Sequence, residues 1–475
     1  MLARRAKVVC TLGPASSDSA AIGALVAAGM DVARLNLSYG NAEDHAAVTQ
    51  RVRDAAADAG RPVAVLADLQ GPKIRIGPLE GERRLEVGQL VGLADAGAHP
   101  RAGPSGSRGD VLPTTHQALS RDARPGDPLL LRDGTIRTTV ESVADGVVSV
   151  RVLVGGAVKT GSGINLPASD VTAPALTAKD AADLEAALGF GVDLVALSFV
   201  RAPSDVDVVR AHMDRVGRRV PVIAKIEKLQ AVERIDGVVQ AFDGVMVARG
   251  DLGVEVDLTR VPLIQKAVIE RCRYWAKPVI VATEMLETMV DRSRPTRAEA
   301  SDVVNAVLDG ADALMLSAET SMGADPVRAA RTMSELIVTA ERDGPPLRPR
   351  SFPEGDVAEA AVAGAVEVAR SIGAAAIAVV TGTGSTAQRV AAHRPPTRIV
   401  VIGRGAVPEP SLLLWGTETG RSQVGPEPLA ADLRPLLAAH HGVGPDDTVV
   451  VVTGERPGST NLVWVLESEG QGRTS

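Results

Sequence analysis

Aromatic side chains are scarce in this 475-residue chain: 3 Trp, 2 Tyr and 4 Phe make up 2% of it. Platforms for single-stranded nucleic acid stack bases on aromatic faces, and outer-membrane barrels carry aromatic girdles, so neither class is expected. Cysteine is equally sparse, and Cys10 and Cys272 give no disulfide framework and no metal-ligand spacing. No apolar run reaches the roughly 18 residues of a membrane span. The longest, at 361–382, is broken by Glu367 and Arg370. The opening MLARRAKVVCTLG is positively charged, but its apolar stretch is too short for a secretory signal. There is no excess of positive charge either: 51 Lys and Arg stand against 58 Asp and Glu. A net charge of -7 gives no general attraction to nucleic acid or anionic lipid. These absences predict a cytoplasmic protein with reduced thiols, no nucleic-acid partner and no membrane partner.

Hydrophobic residues amount to 45% of the chain, so its core is built from Ala, Val, Leu and Ile. At about 150 residues per domain the length suggests about three domains. Short β-branched runs at 7–12, 32–35, 63–69, 193–199, 220–226, 244–248, 278–282 and 313–316 alternate with amphipathic stretches. Eight strand–helix units predict an α/β fold, a (β/α)8 barrel assembled from residues 1–70 and 167–342. Residues 71–166 lack helical periodicity and are rich in Gly, Pro and Asp. Alternating runs at 138–143 and 147–152 predict a small inserted β-domain, a lid. Pro345, Pro346, Pro349 and Pro353 mark a linker at 343–355. Residues 356–475 alternate again and predict a C-terminal α/β domain, with helices at 356–371 and 428–440 and strands at 376–380, 399–402, 448–452 and 463–466. No internal repeat stands out.

Active sites of parallel barrels lie at the C-terminal ends of the strands. Polar residues gather there: Arg34, Asn36 and Ser38 at the second strand, Asp68 at the third, and Lys225 and Glu227 at the fifth. Arg249, Gly250 and Asp251 follow the sixth, Thr283 and Glu284 the seventh, and Ser317 and Glu319 the eighth. Glu227 and Asp251, on adjacent strands, suit Mg2+ or Mn2+, which prefer oxygen ligands and leave positions for substrate. A lysine beside them suits a migrating phosphoryl group or a developing enolate. Gly250 permits close backbone approach to a small anion.

The segments KVVCTLGPAS (7–16), GMDVARLNLSYG (29–40), GPKIRIG (71–77), GINLP (163–167), AKIEK (224–228), MVARGDLGVE (246–255) and SRPTRAEASDVVNAVLDGADALMLSAET (293–320) resemble the pyruvate kinase family. The matches are collinear from residue 7 to about 466 and are most specific in the barrel. The resemblance implies a barrel with a β-domain lid, a C-terminal regulatory domain, and phosphoryl transfer from phosphoenolpyruvate to ADP. It implies that Glu227 and Asp251 hold the divalent cation and that Lys225 stabilises charge on the phosphoryl group and enolate. It also implies that Ala248, Arg249, Gly250 and Asp251 (through the backbone) and Thr283 hold the substrate carboxylate, that Arg34 meets the phosphoryl group, and that Ser317 lies in the proton-relay region. On the nucleotide side it implies Asn36, Tyr39, Arg75 and Lys159.

Many members of the family hold K+ with an Asn, a Ser, an Asp-Thr pair and a Glu. Here Asn36, Ser38 and Asp68 are kept, while Leu69 and Lys73 replace the Thr and the Glu. A lysine ammonium is a fixed monovalent charge, so activity without K+ is expected. Tyr39 stands where His is usual, Ser162 for Lys, Thr172 for Asp and Glu284 for Gln. In the C-terminal domain TGTGSTA (381–387) resembles the family's phosphate-binding turn, with Thr381, Thr383, Gly384, Ser385 and Thr386 as candidates for a phosphorylated effector. A homotetramer is implied by the resemblance alone. His45, His116 and His212 receive no role. Two rival readings stay open: a lyase or aldolase acting on phosphoenolpyruvate or pyruvate through metal–enolate chemistry, and a catalytically weak metabolite sensor.

Overall fold

The computed structural model describes residues 4–98, 111–167, 169, 171–347, 349–404, 409–424, 430–444, 446–454 and 459–467. Eight parallel strands close into a barrel: Lys7–Thr11, Val32–Asn36, Ala64–Asp68, Leu194–Leu197, Val222–Ile226, Gly244–Ala248, Val279–Ala282 and Ala313–Leu316. All eight lie within the runs read from the sequence except the second, which extends one residue to Asn36. The fourth is shorter than its run, because the chain turns at Ser198 and Phe199 takes a left-handed backbone conformation, φ 57°.

Side chains alternate along each strand. One phase packs against the surrounding helices; the other fills the barrel with Val9, Val32, Leu66, Ala196, Ile223, Met246, Ile280 and Met315. Branched aliphatics and methionine fill the interior without aromatic side chains. The same phase, continued two residues further, carries Thr11, Arg34, Asp68, Ser198, Lys225 and Ser317 to the top of the interior.

At the opposite rim a single device recurs on alternate strand pairs. Asp31, Asp193, Asp243 and Asp312 each stand one residue before a strand. Each accepts the N–H of one residue on the preceding strand: Val8 at 2.8 Å, Val65 at 2.6 Å, Val222 at 2.9 Å and Val279 at 3.1 Å. Each donates its own N–H to the carbonyl of that same residue. Each also pairs with arginine: Arg4 and Arg61, Arg53, Arg210 and Arg394 respectively. This fourfold repeat links strands one to two, three to four, five to six and seven to eight.

The inserted segment forms a seven-stranded sheet in the order Ile74–Arg75, Gly163–Asn165, Pro128–Leu131, Ile136–Ala144, Val147–Val154, Leu90–Ala94, Val111–Pro113. A two-stranded sheet, Gly156–Val158 with Arg83–Leu85, accompanies it. It has its own apolar core, including Leu93, Leu112, Leu129, Ile136 and Val150.

The C-terminal sheet has five strands, in the order Thr417–Val424, Arg398–Arg404, Ala376–Thr381, Val449–Thr453, Leu462–Leu466, the last antiparallel. The strand Thr417–Val424 and the helix Ser385–Ala392 had no counterpart in the sequence reading. The helix expected at 428–440 is Ala430–His441; its first two expected residues lie outside the described residues. Leu413 projects from this part of the chain into the barrel's interior cluster and is fully buried there. Around it, Trp415 donates to Asp312, Lys7 to the Thr417 carbonyl, and Gly416 to the Arg5 carbonyl. The Trp415 ring lies between the guanidinium groups of Arg5 and Arg394, 5.0 and 5.2 Å from its centre.

Candidate active site

The mouth of the barrel holds a chain of buried charges. The Lys225 ammonium stands 2.8 Å from Glu227 Oε1 and 3.2 Å from Asp68 Oδ1, and donates to Ser198 Oγ at 2.7 Å. Asp68 is gripped on its other oxygen by Arg34, at 2.8 Å from Nε and 2.7 Å from Nη2. Arg34 also donates to the Thr11 hydroxyl at 2.9 Å. The side chains of Asp68 and Glu227 are 2% and 1% exposed. Thus the second, third, fourth and fifth strands each contribute to one array. Ser198 and Thr11 were missed in the sequence. They follow Ala196 and Val9 by two residues, so the period-two phase of the interior was the signal that could have found them.

Electrostatics fixes the protonation states. Burial alone would lower the Lys225 pKa, but Asp68 and Glu227 outweigh it and hold the ammonium above its ordinary value. Burial would raise Asp68, yet Lys225 and Arg34 bring its carboxyl below the usual range. Glu227 is pushed up, first by burial and then by the negative charge of Asp251. The two carboxylates thus favour the charged form of Lys225.

Glu227 is held by the Phe199 N–H at 2.8 Å, which ties the left-handed turn after the fourth strand to the carboxylate. Among the described residues its other oxygen, like Asp68 Oδ1, has only the Lys225 ammonium against it. Asp251 sits at the third position of the helix Arg249–Glu255. Among the described residues no group of three or more His, Cys, Asp or Glu side chains gathers to hold a metal alone. Two carboxylates that repel one another, one with an under-satisfied buried oxygen, fit a hard dication completed by substrate and water oxygens.

After the seventh strand, Thr283 and Glu284 are left-handed, φ 66° and 52°. Such turns in residues other than glycine cost about 1–3 kcal/mol each. Arg249 supplies the clamp: its guanidinium donates to the Thr283 carbonyl at 2.6 Å and the Glu284 carbonyl at 3.1 Å, and pairs with Asp302 at 2.5 Å. The Arg249 side chain is thus turned to the strand-seven loop and Asp302. The Thr283 hydroxyl accepts the Gly250 N–H at 2.8 Å and donates to the Ala282 carbonyl at 2.7 Å. Ser317 donates its N–H to Glu319, which also anchors Leu286.

Lys73 is placed differently from its expected surroundings. Its ion pairs among the described residues are with Asp133 at 3.3 Å and Asp251 at 3.5 Å, not with Asp68. Asn36 uses its Oδ1 on the Ser38 N–H at 3.2 Å. Leu69 is buried beside the third strand's end. Of the remaining nucleotide-side candidates, Tyr39 is 72% exposed, while Arg75 bonds the Gly161 carbonyl at 2.9 Å in the turn where the Lys159 amide bonds Ser162. Thr172 uses its N–H on Asp122.

In the C-terminal turn, Thr381 Oγ1 accepts the Gly384 N–H at 3.0 Å, and Gly384 takes the positive φ of 87° that the turn requires. Thr383 and Ser385 face one another at 3.2 Å, while Thr386 is buried against Thr460 at 2.7 Å. The helix Ser385–Ala392 starts from this turn.

Comparison with known families agrees with this architecture. The family model "Pyruvate kinase, barrel domain" matches residues 3–330, and "Pyruvate kinase, alpha/beta domain" matches 359–466. This chain belongs to the pyruvate kinase family. Relatives named pyruvate kinase include that of Mycobacterium tuberculosis, 46% identical with 98% of each chain covered. That of Mycobacterium intracellulare is 47% identical over 98% of each, and that of Corynebacterium efficiens 46% over 97% of each. The family assignment makes the chain a phosphotransferase. Among the described residues no helix is long and apolar enough to cross a membrane.

Proposed function

We propose that this chain transfers the phosphoryl group of phosphoenolpyruvate to ADP, giving ATP and pyruvate, with Mg2+ or Mn2+ at Glu227 and Asp251 and without a need for K+. The observation that carries the reading is the Lys225 ammonium, buried between Asp68 and Glu227 at the barrel mouth. A dication there supplies positive charge to the substrate's carboxylate and phosphoryl oxygens. Lys225 offers a preorganised positive charge to the developing enolate and the departing phosphoryl oxygens. Arg34, fixed by Asp68 and Thr11, presents a second cation that cannot deprotonate. Thr283 and the start of the helix at Arg249 hold the carboxylate end, and Ser317 lies on the side of proton delivery. Asn36, Tyr39, Arg75 and Lys159 are carried as nucleotide contacts. The turn of Thr381, Thr383, Gly384, Ser385 and Thr386 is carried as a phosphate site. A cytoplasmic homotetramer is the expected form.

Pyruvate release from phosphoenolpyruvate, measured with and without ADP, tests the reaction. Release that depends on ADP supports the kinase; release without ADP or none at all overturns it. The basis for K+ independence is the Leu69 and Lys73 that stand where K+-dependent members carry Thr and Glu, although the Lys73 ammonium is placed beside Asp251 and Asp133 rather than Asp68. Exchanging Tris or Na+ for K+ at constant ionic strength is expected to leave the rate unchanged, and Lys73→Glu to create a K+ stimulation. A strong K+ stimulation of the parent enzyme would remove this part of the proposal.

A further inference from the structure

Directly after Glu227 in sequence comes a second buried lysine. The Lys228 ammonium lies 2.6 Å from Glu255 Oε1, with side chains 10% and 1% exposed. Glu255 is the last residue of the helix whose third residue is Asp251. One ion pair therefore ties the segment carrying the first metal carboxylate to the helix carrying the second. Asn165, at the end of an insert strand, donates to the same Glu255 oxygen at 3.0 Å. The insert also reaches the other end of this helix, where Lys73 meets Asp251. Lys228 further lies 5.7 Å from the ring centre of Phe199, whose N–H holds Glu227.

This group is a poor choice for stability alone. Glu255 Oε2 and Asn165 Oδ1 are buried with no hydrogen-bond partner among the described residues. A buried ion pair often does no better than apolar side chains of similar volume, and an incompletely satisfied one does worse. What it does supply is a fixed distance between two backbone segments.

We infer that Lys228, Glu255 and Asn165 are positioning residues that set the separation of Glu227 and Asp251 and couple it to the seating of the insert. The inference rests on the metal site of the proposed function. It is tested on the full chain by titrating Mn2+ alone, followed by electron paramagnetic resonance, with thermal unfolding measured in parallel. Groups that orient metal ligands typically change affinity by about 10–100-fold when altered. Glu255→Gln is expected to weaken Mn2+ binding by about tenfold or more, and Asn165→Ala by a smaller factor with little change in unfolding temperature. Should Glu255→Gln fail to fold, because it leaves Lys228 buried without a countercharge, Lys228→Met with Glu255→Leu removes both charges and keeps the volume. That double variant is expected to fold and still bind Mn2+ weakly. Parent-like Mn2+ affinity in the folded Glu255 variants and in Asn165→Ala overturns the inference while leaving the metal site standing. If the parent shows no Mn2+ binding that Glu227→Gln removes, the metal assignment fails first and the positioning role falls with it.

Discussion

At the N-terminal rim of the barrel each clasp aspartate accepts a backbone N–H, returns one to the same residue and meets an arginine. At the mouth, Asp68 and Glu227 each keep a buried oxygen with only one ammonium against it among the described residues. Both sets are carboxylates, but their partners differ. At the rim a backbone N–H and an arginine tie each carboxylate to the neighbouring strand, whereas at the mouth the partners of Asp68 Oδ1 and Glu227 Oε1 among the described residues leave electrostatic pull for an incoming cation or substrate. Left-handed residues occur at both ends: Phe199, Thr283 and Glu284 at the mouth, and Ala276 and Arg394 at the opposite rim.

The contrast can be broken from either end. The largest effect is expected at the mouth. Lys225→Met should lower kcat for pyruvate formation by at least about 10²–10³-fold, the scale for losing one preorganised electrostatic group. Steady-state kinetics on protein with intact cooperative unfolding checks this, and a near-normal rate would remove Lys225 from the chemistry. Next comes the opposite rim. Asp312→Ala leaves Arg394 buried without its countercharge and should cost about 3–5 kcal/mol in urea unfolding, while kcat of the folded fraction stays near the parent's. A comparable fall in kcat would mean that the rim is not simply structural.

The smallest effect sharpens the comparison through pH. Burial would raise Asp31, but Arg4, Lys7 and Arg61 together with the Val8 N–H hold it below its ordinary value of 3.8. Its contribution to stability is therefore fully present above 3.8 and is lost as pH falls through the lower folded value. The stability gap between the parent and Asp31→Asn should be constant near neutrality and narrow in acid. A gap that widens in acid would reverse the sign and contradict the assignment.

The barrel was legible because its strands are buried runs bounded by turns, and because polar residues at their C-terminal ends form a convergent set. Lys225, Glu227, Arg34 and Asp68 could be read together on that ground, and the structure joins them. Other features were hidden for physical reasons. The fourfold aspartate clasp escaped notice because the segments between its members differ in length and carry the long insert. The strand Thr417–Val424 has polar residues without apolar alternation, and its pairing comes from the neighbouring strand rather than its own pattern. Glu255 received no role in the sequence, since tertiary packing is what buries it against Lys228 and Asn165. Lys73 was expected beside Asp68, but the fold directs its long flexible side chain toward Asp251 and Asp133.

Leu413 gives the C-terminal domain a part in the order of synthesis. The final barrel strand, Ala313–Leu316, leaves the ribosome well before the residue that completes the barrel's interior. Until Leu413 and Trp415 arrive, the nascent barrel exposes an open apolar end and Asp312 lacks the Trp415 amide. The emerging chain therefore gains the Leu413 contact with its barrel interior only after the eighth strand has been followed by about a hundred further residues.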